Sequence, residues 1–255
     1  MNRTFNHIIV KSEDNIGYLI FNRPSQLNAM NREMMDEIIT AIEEINANDK
    51  VLVAVISGKG RAFMAGADIK EYGSQTPEQF KTFQEQGIKL YKAIENAPKP
   101  WIAAVNGFAL GGGFEIALSC DMILACETAK MGLPEVFLSL VPGGGGTQRL
   151  IQRLGINRVK EMLFTGGQYT AEILHDWGIV NHVYTKEAFE EEVTRFATKL
   201  TRRPAKAIKE LKRLAHLSLS PMPFDQKIEE EGKAVTDLFY SEEAQKAIKD
   251  FMNKS

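Results

Sequence analysis

Apolar and polar residues along this chain change period several times, and each change predicts an element. Two short alternating runs open it, HIIVKS and GYLIFN, with Asp14-Asn15 between them. A period of two predicts half-buried strands, and the Asp-Asn pair suits a turn joining them. Arg23-Pro24 ends the second strand, because proline lacks the amide that a central ladder needs. The period then lengthens: Asn31 caps a helix over NREMMDEIITAIEEINAN, whose Met34, Ile38, Ile42 and Ile45 share one face. VLVAVIS (51–57) is a continuous apolar run, as in a strand buried on both faces. A loop, GKGRAFMAGADIKEYG, leads to a second amphipathic helix around residues 79–96. After it WIAAV, bounded by Pro100 and Asn106-Gly107, reads as another buried strand. Strand, helix, strand, helix, strand predicts an α/β architecture with right-handed crossovers.

Two stretches break the apolar pattern with a single charge each. After WIAAV come Gly111 to Gly113 and then FEIALSC, whose spacing suits a buried helix. Between Pro100 and Cys120 the only charged side chain is Glu115. A carboxylate in such surroundings is costly unless something pairs with it or uses it. Two readings are open: a glycine turn whose glutamate reaches a neighbouring amide, or a backbone brought close to a ligand beside a catalytic carboxylate. Farther on, from Met131 to Gln148, the only charge is Glu135. Pro134 suits the first turn of a helix, and Gly143 to Gly146 lead into TQRLIQRLG as a loop entering a helix. No GK[ST] follows these glycines and they do not fit GxGxxG. They are therefore read as a structural loop passing close to another backbone, not as a phosphate cradle.

The remainder reads as helical. RVKEMLFTG and TAEILHDWG are short helices closed by glycine, and HVY is a last short strand. From Lys186 the chain gives AFEEEVTRFATKLTRR, PAKAIKELKRLAHL, a break at SPMP, FDQKIEEEGKAVTDLFY and SEEAQKAIKDFM. A boundary is placed there: residues 1–185 as the core that carries the site, 186–255 as a helical region. RRPAKAIKELKR holds six basic residues and one acid, and a solvated helix face explains it better than an anion site.

Composition narrows the classes. With 255 residues the chain can bury a sizeable core, and 44% apolar with 25% charged residues is ordinary for a soluble globular protein. Lys and Arg total 31 against 33 Asp and Glu, a net charge of -2, so nothing global attracts nucleic acid or an anionic membrane. Cys120 and Cys126 both sit in the apolar stretch and read as small core residues. His7, His175, His182 and His216 are scattered, so no metal site is expected. The first residues lack the apolar segment of a signal peptide, and no uncharged run is long enough to span a bilayer; the expectation is a cytoplasmic protein.

Four separated segments, NRPSQLNAM, FMAGADIKEY, NGFALGGGFEIALSCDMILA and AKMGLPEVFLSLVPGGGGTQRL, occur in an order and spacing that resembles the enoyl-CoA hydratase (crotonase) family over nearly the whole chain. The resemblance implies a crotonase (ClpP-like) spiral of ββα turns with a C-terminal helical trimerisation region, giving a homotrimer or a dimer of trimers. It implies reversible syn addition of water to a trans-2-enoyl-CoA, giving a 3-hydroxyacyl-CoA, in fatty-acid or related acyl-CoA degradation. No cofactor is implied, because coenzyme A is part of the substrate. The matching positions for an oxyanion hole are the amides of Ala67 and Gly112. Gly112 would stand at the start of the FEIALSC helix, where free N–H groups and the helix dipole favour negative charge. Losing one such donor typically costs a factor of about 10² to 10³.

The resemblance also assigns the two lone carboxylates: Glu115 would help remove a proton from water, and Glu135 would supply one to the α-carbon. Syn addition needs a base and an acid on one face of the substrate. For CoA it implies Ala65, Asp68, Ile69, Lys70 and Leu27, with Lys70 near phosphate and Ala65 near the adenine. Phe251 and Lys254 would approach the CoA of a neighbouring subunit. Three departures stand out. The chain stops at Ser255 without a basic, phenylalanine-containing tail, Ser25 replaces a common basic residue, and Leu133 replaces a glutamine often found before Pro-Glu. The first two bear on CoA binding, and Leu133 is expected in the wall beside Glu135. Alternatives are a 3-methylglutaconyl-CoA hydratase, an enoyl-CoA isomerase using one glutamate, or a non-catalytic module binding RNA or protein through helix 202–213.

Overall fold

The computed structural model describes residues 1–253. After a short edge strand, β1 (Asn2–Thr4), the expected hairpin forms from β2 (Ile8–Glu13) and β3 (Ile16–Phe21). Its turn residues Asp14 and Asn15 both have positive φ, +48° and +66°, a region that Asp and Asn tolerate best among residues with a side chain. Next to β3 run β4 (Val53–Gly58), β6 (Trp101–Val105), β8 (Met122–Cys126) and β11 (His182–Tyr184), all parallel. The seven strands are ordered β1-β2-β3-β4-β6-β8-β11.

The continuous apolar runs are explained by burial on both faces. Ala54 and Ile56, Ala103 and Val105, and Ile123 and Ala125 enter the main core. Val53 and Val55, Ile102 and Ala104, and Leu124 and Cys126 enter a second core on the opposite face. The first is covered by α1 (Arg32–Ala47) and α3 (Pro77–Glu95), the second by α8 (Phe189–Thr201) through Phe189, Val193 and Ala197. α8 thus packs on the sheet although it lies beyond residue 186. Cys120 and Cys126 are unpaired and fall in different cores, as small buried residues.

A second sheet was not legible in the pattern. It joins β5 (Ala62–Met64), β7 (Phe108–Leu110), β9 (Lys130–Gly132) and β10 (Gln168–Thr170) in the order β10-β9-β7-β5. Each strand has three residues, too few to show a period. Between them run α2 (Ile69–Tyr72), α4 (Gly112–Ser119), α5 (Gly146–Leu154) and α6 (Ile156–Thr165), and α7 (Ala171–Asp176) follows β10. Strand of the first sheet, strand of the second, then helix recurs from β4, from β6 and from β8. This is the expected spiral of ββα turns. α9 (Ala205–Leu217), α10 (Phe224–Phe239) and α11 (Glu242–Met252) follow outside it.

The NRPSQLNAM segment acts as a clip for the second sheet. Pro24–Gln26 make a 3-10 turn, after which Leu27 and Asn28 both take left-handed φ, +53° and +57°. Asn28 is fully buried. Its side-chain amide donates to the carbonyls of Lys59 (3.0 Å), Ala62 (2.8 Å) and Phe63 (3.1 Å), while its oxygen accepts from the Arg23 amide at 2.8 Å. The strand that leads into Ala65 and Ala67 is therefore held from one side chain. We expect Asn28→Ala to lower folding stability by about 2–4 kcal/mol, since it strands buried carbonyls and removes a residue suited to the left-handed region. Urea denaturation checks this.

Candidate active site

Where α3, α4 and the segments before α2 and α5 converge, a cavity of about 140 Å³ opens to the surface. Its wall includes Ala65, Ala67, Ile69, Gly112, Glu115 and Glu135, so the spiral brings together residues far apart in the chain. Ala67 pairs with Met30 as an isolated parallel bridge: the amides of Met30 and Asp68 bond to Gly66 and Met30 carbonyls at 2.8 Å each. In that pairing Ala67's own N–H is directed away from Met30. Gly112 is the first residue of α4, so its N–H has no intrahelical acceptor. The two segments abut, for a side chain on Gly111 would lie 3.8 Å from the Gly66 Cα.

The glycine triplet has two distinct structural needs. Gly111 enters α4 at φ +53° and ψ -125°, a conformation open to glycine and strained for other residues. Gly113 lies so close to β5 that a Cβ would stand 2.0 Å from the Met64 carbonyl oxygen. At Gly112 a Cβ would meet only side-chain ends, Tyr91 Oη at 3.1 Å and Met30 Cε at 3.3 Å.

Glu115 is 3% exposed, yet it has partners. Its Oε1 accepts from the amides of Gly144 and Gly146, both at 2.8 Å. The Gly143–Gly146 loop thus passes close to a side chain where another backbone was expected. Its glycines leave room for the carboxylate: a Cβ on Gly144 would lie 2.6 Å from Glu115 Oε2 and one on Gly146 3.0 Å from Oε1. Burial pushes the Glu115 carboxyl up, while the two amides, the Arg149 charge and the Tyr91 hydroxyl pull it back. Glu37 of α1 is the contrast. It is also buried, but both of its oxygens accept backbone amides, from Asn6 and His7 at 2.9 Å each, and it is purely structural.

Glu135 begins a 3-10 turn, Glu135–Leu138, with Pro134 just before it where a helix was expected. Its Oε2 is buried and has no hydrogen-bond partner among the described residues. Burial raises its carboxyl to about 7, and the Glu115 charge adds to the rise. Burial raises both carboxyls, but at Glu115 amide donors and a positive charge oppose the rise, whereas Glu135 is pushed up to about 7, so their environments set the two apart as acid and base partners require.

Not every expected site residue reaches the cavity. Asp68 caps α2 through the Lys70 amide (3.2 Å) and pairs with Arg23 at 3.0 Å. Leu27 contributes a carbonyl that accepts from the Ala65 amide at 3.1 Å, and Lys70 is exposed on α2 and does not line the cavity. Phe251, expected at the CoA of a neighbouring subunit, lies on α11, and Lys254 lies outside the described residues. Leu133 does not form the wall beside Glu135. It is buried in the main core, where its methyl would lie 2.9 Å from a Cβ on Gly146. Tyr91, Met30 and Phe83 do line the cavity, and no sequence signal marks them apart from ordinary core positions. In the basic helix, Lys212 pairs with Asp121 at 2.8 Å, and Arg213 pairs with Glu210 and Glu230. Among the described residues no helix is long and apolar enough to cross a membrane.

The sequence model of the enoyl-CoA hydratase/isomerase family matches residues 11–255. The chain belongs to this family. It is similar to the short-chain-enoyl-CoA hydratase of Clostridium acetobutylicum, 34% identical with 98% of this chain and 95% of that protein covered. A crotonyl-CoA hydratase of Syntrophomonas wolfei subsp. wolfei is also 34% identical, over 98% of this chain and 96% of that one. Among solved structures, the "Enoyl-CoA Hydrates Subunit I" of Geobacillus kaustophilus HTA426 superposes with a TM-score of 0.93 at 39% identity, covering 99% of this chain and 97% of that one. The crotonase fold expected from the motifs is the fold observed.

The glycine geometry separates two substitutions that look alike in sequence. Gly113→Ala should cost about 2 kcal/mol or more in folding stability, because backbone must move to admit the methyl. Gly112→Ala should stay within about 1 kcal/mol of the parent, because flexible side-chain ends can yield. Chemical denaturation of both variants tests the contrast.

Proposed function

We propose that this chain is an enoyl-CoA hydratase, adding water reversibly across the double bond of a trans-2-enoyl-CoA to give the 3-hydroxyacyl-CoA. The observation that carries the reading is the pair of differently tuned carboxylates in one cavity, beside the Ala67 and Gly112 amides. The thioester oxygen accepts from these two amides, which stabilise the negative charge it gains in the enolate. Glu115 takes a proton from water as its oxygen bonds to the β-carbon. Glu135 gives its proton to the α-carbon, and the two carboxyls exchange the surplus proton before the next turnover. No separate cofactor enters these steps, since coenzyme A arrives with the substrate. Ala65, Ile69 and Lys70 stand on the side from which it would lie, with Asp68 and Leu27 holding that segment. Unpaired buried cysteines suit the reducing cytoplasm.

The cavity also supports a substrate class. Its wall carries Met30, Met35, Phe83, Leu138, Leu140 and Val141 at apolar positions and holds no Lys, Arg or His among the described residues. An acyl tail ending in a carboxylate would meet two glutamates and no cation, which disfavours the 3-methylglutaconyl reading. A short, uncharged acyl chain fits. Both glutamates favour hydration over isomerisation, and the engaged Lys212 and Arg213 weigh against an RNA-binding helix.

A homo-oligomer, a trimer or a dimer of trimers, completes the reading. α9 to α11 contribute only Ala234 to the buried residues. They expose Leu211, Phe224 and Val235, and Tyr240 at the end of α10 is exposed too, Phe224 and Tyr240 at 74% and 76%. Apolar surface of this extent on monomeric helices marks an interface, and a second copy of the chain is the occupant we assign.

Three outcomes are expected. Glu115→Gln and Glu135→Gln should each lose at least about 10² in hydration rate while still binding acyl-CoA. In a panel of enoyl-CoA thioesters, crotonyl-CoA should be hydrated faster than 3-methylglutaconyl-CoA, and parental rates in either variant would overturn the mechanism. Light scattering should show a trimer or hexamer at low micromolar concentration, whereas a stable active monomer would rule out the assembly.

A further inference from the structure

Tyr91 lies in the cavity wall and has no place in the chemistry derived so far. It sits on the buried face of α3 with Phe83, Gly87, Leu90 and Ile94, and it is 4% exposed. Three observations fix its surroundings. A Cβ on Gly144 would lie 2.1 Å from Tyr91 Cε2, 2.5 Å from its Cζ and 2.6 Å from Glu115 Oε2, so ring and carboxylate flank the same glycine. A Cβ on Gly112 would lie 3.1 Å from Tyr91 Oη, so the hydroxyl also faces the start of α4. The Arg149 guanidinium stands 5.8 Å over the ring, donates to the Gly144 carbonyl and pairs with Glu95 at 2.6 Å.

Glu115 Oε1 already accepts two amides. Proton chemistry is therefore left to Oε2, the oxygen on the Tyr91 side. We propose that Tyr91 is a positioning residue for Glu115: its hydroxyl donates to the carboxylate, holds it ionised and keeps Oε2 aimed into the cavity. This rests on the hydratase reading, in which Glu115 must be ionised to take a proton from water. The nearby Tyr91 hydroxyl is one of the influences that lower the Glu115 carboxyl. The phenol is itself pushed well above its usual range, by burial first and then by the Glu115 charge, so it remains a donor at any pH where the protein works. The titratable and charged groups that face Glu115 are Tyr91 from α3, Glu135 from the 3-10 turn, Arg149 from α5 and Tyr72 from α2. Of these, Tyr91 and Arg149 favour the ionised form and Glu135 opposes it. Arg149 shares its charge with Glu95, so the side-chain donor we assign to the carboxylate is the Tyr91 hydroxyl.

The sign follows directly. A donor to a carboxylate lowers its pKa, so removing the hydroxyl raises it. Tyr91→Phe keeps the ring against Gly144 and under Arg149 while deleting only the donor. With crotonyl-CoA, the acid limb of the kcat/KM profile should move up by about one unit, since a hydrogen bond to a charged group contributes that order of shift. At pH values on that limb, kcat should fall about tenfold with KM within about twofold, as expected when a group acting in the transition state is mispositioned. A second measurement separates this inference from the hydratase reading. In a Glu135→Gln background, which removes the coupled carboxyl, the Glu115 side-chain carbon is followed by 13C NMR with and without Tyr91→Phe, using Glu115→Gln for assignment. A midpoint that rises on loss of the hydroxyl supports the inference whatever the enzyme turns over. An unmoved midpoint overturns it, and so does a fall in kcat with no displacement of the acid limb, which would make Tyr91 merely structural. A parent that hydrates no enoyl-CoA would instead overturn the hydratase reading, with the NMR midpoint still deciding the role of Tyr91.

Discussion

The carboxylate of Glu115, taken out of water and given two backbone amides in return, is the constraint on which the site depends. An unpaired buried carboxylate would be too costly to keep charged. The amides of Gly144 and Gly146 offset that cost only because α4 and the entry to α5 are brought side by side by the second and third turns of the spiral. The same contact therefore fixes the catalytic carboxylate, the path of the glycine loop and the approach of α5. Arg149 fastens the arrangement from behind, bonded to the Gly144 carbonyl and to Glu95.

Difference of environment, not of residue type, gives the two glutamates different work. Both are raised by burial, but Glu115 has amides that favour its charge, whereas Glu135 has a buried oxygen without a partner and a neighbouring negative charge. A charge on the first helps to keep a proton on the second. Glu37 shows what a buried carboxylate looks like when both oxygens are spent on structure: its two oxygens cap the amides of Asn6 and His7 and nothing is left over. Burial alone would not have told these three residues apart.

The clip at Asn28 and the abutting Gly66 and Gly111 segments explain how a three-stranded stretch of very short strands can hold two amides in register. β5, β7 and β9 have few residues to pair, so side-chain and backbone clips outside the ladder supply what the ladder cannot. Asp68 and Leu27 belong to this scaffold. They hold the segment that faces the ligand by a helix cap, an ion pair with Arg23 and one carbonyl, while the cavity wall itself is made by their neighbours.

The buried parallel strands, the amphipathic helices and the Asn31 cap could be read from the residues alone. So could Glu115 and Glu135, as lone charges in apolar surroundings. Period and turn chemistry are local properties, and Asn31, the Asp14-Asn15 turn and the VLVAVIS run carry them within a few residues. The three-dimensional fold was needed to reveal the second sheet, whose three-residue strands are too short to show a period. It alone placed Tyr91 beside Glu115, turned the Gly143–Gly146 loop toward a side chain, sent Leu133 into the core and packed α8 on the sheet. Each of these is a meeting between segments far apart in the chain. Local patterning reports that a residue is buried, but which groups it meets there is set by how the spiral turns stack.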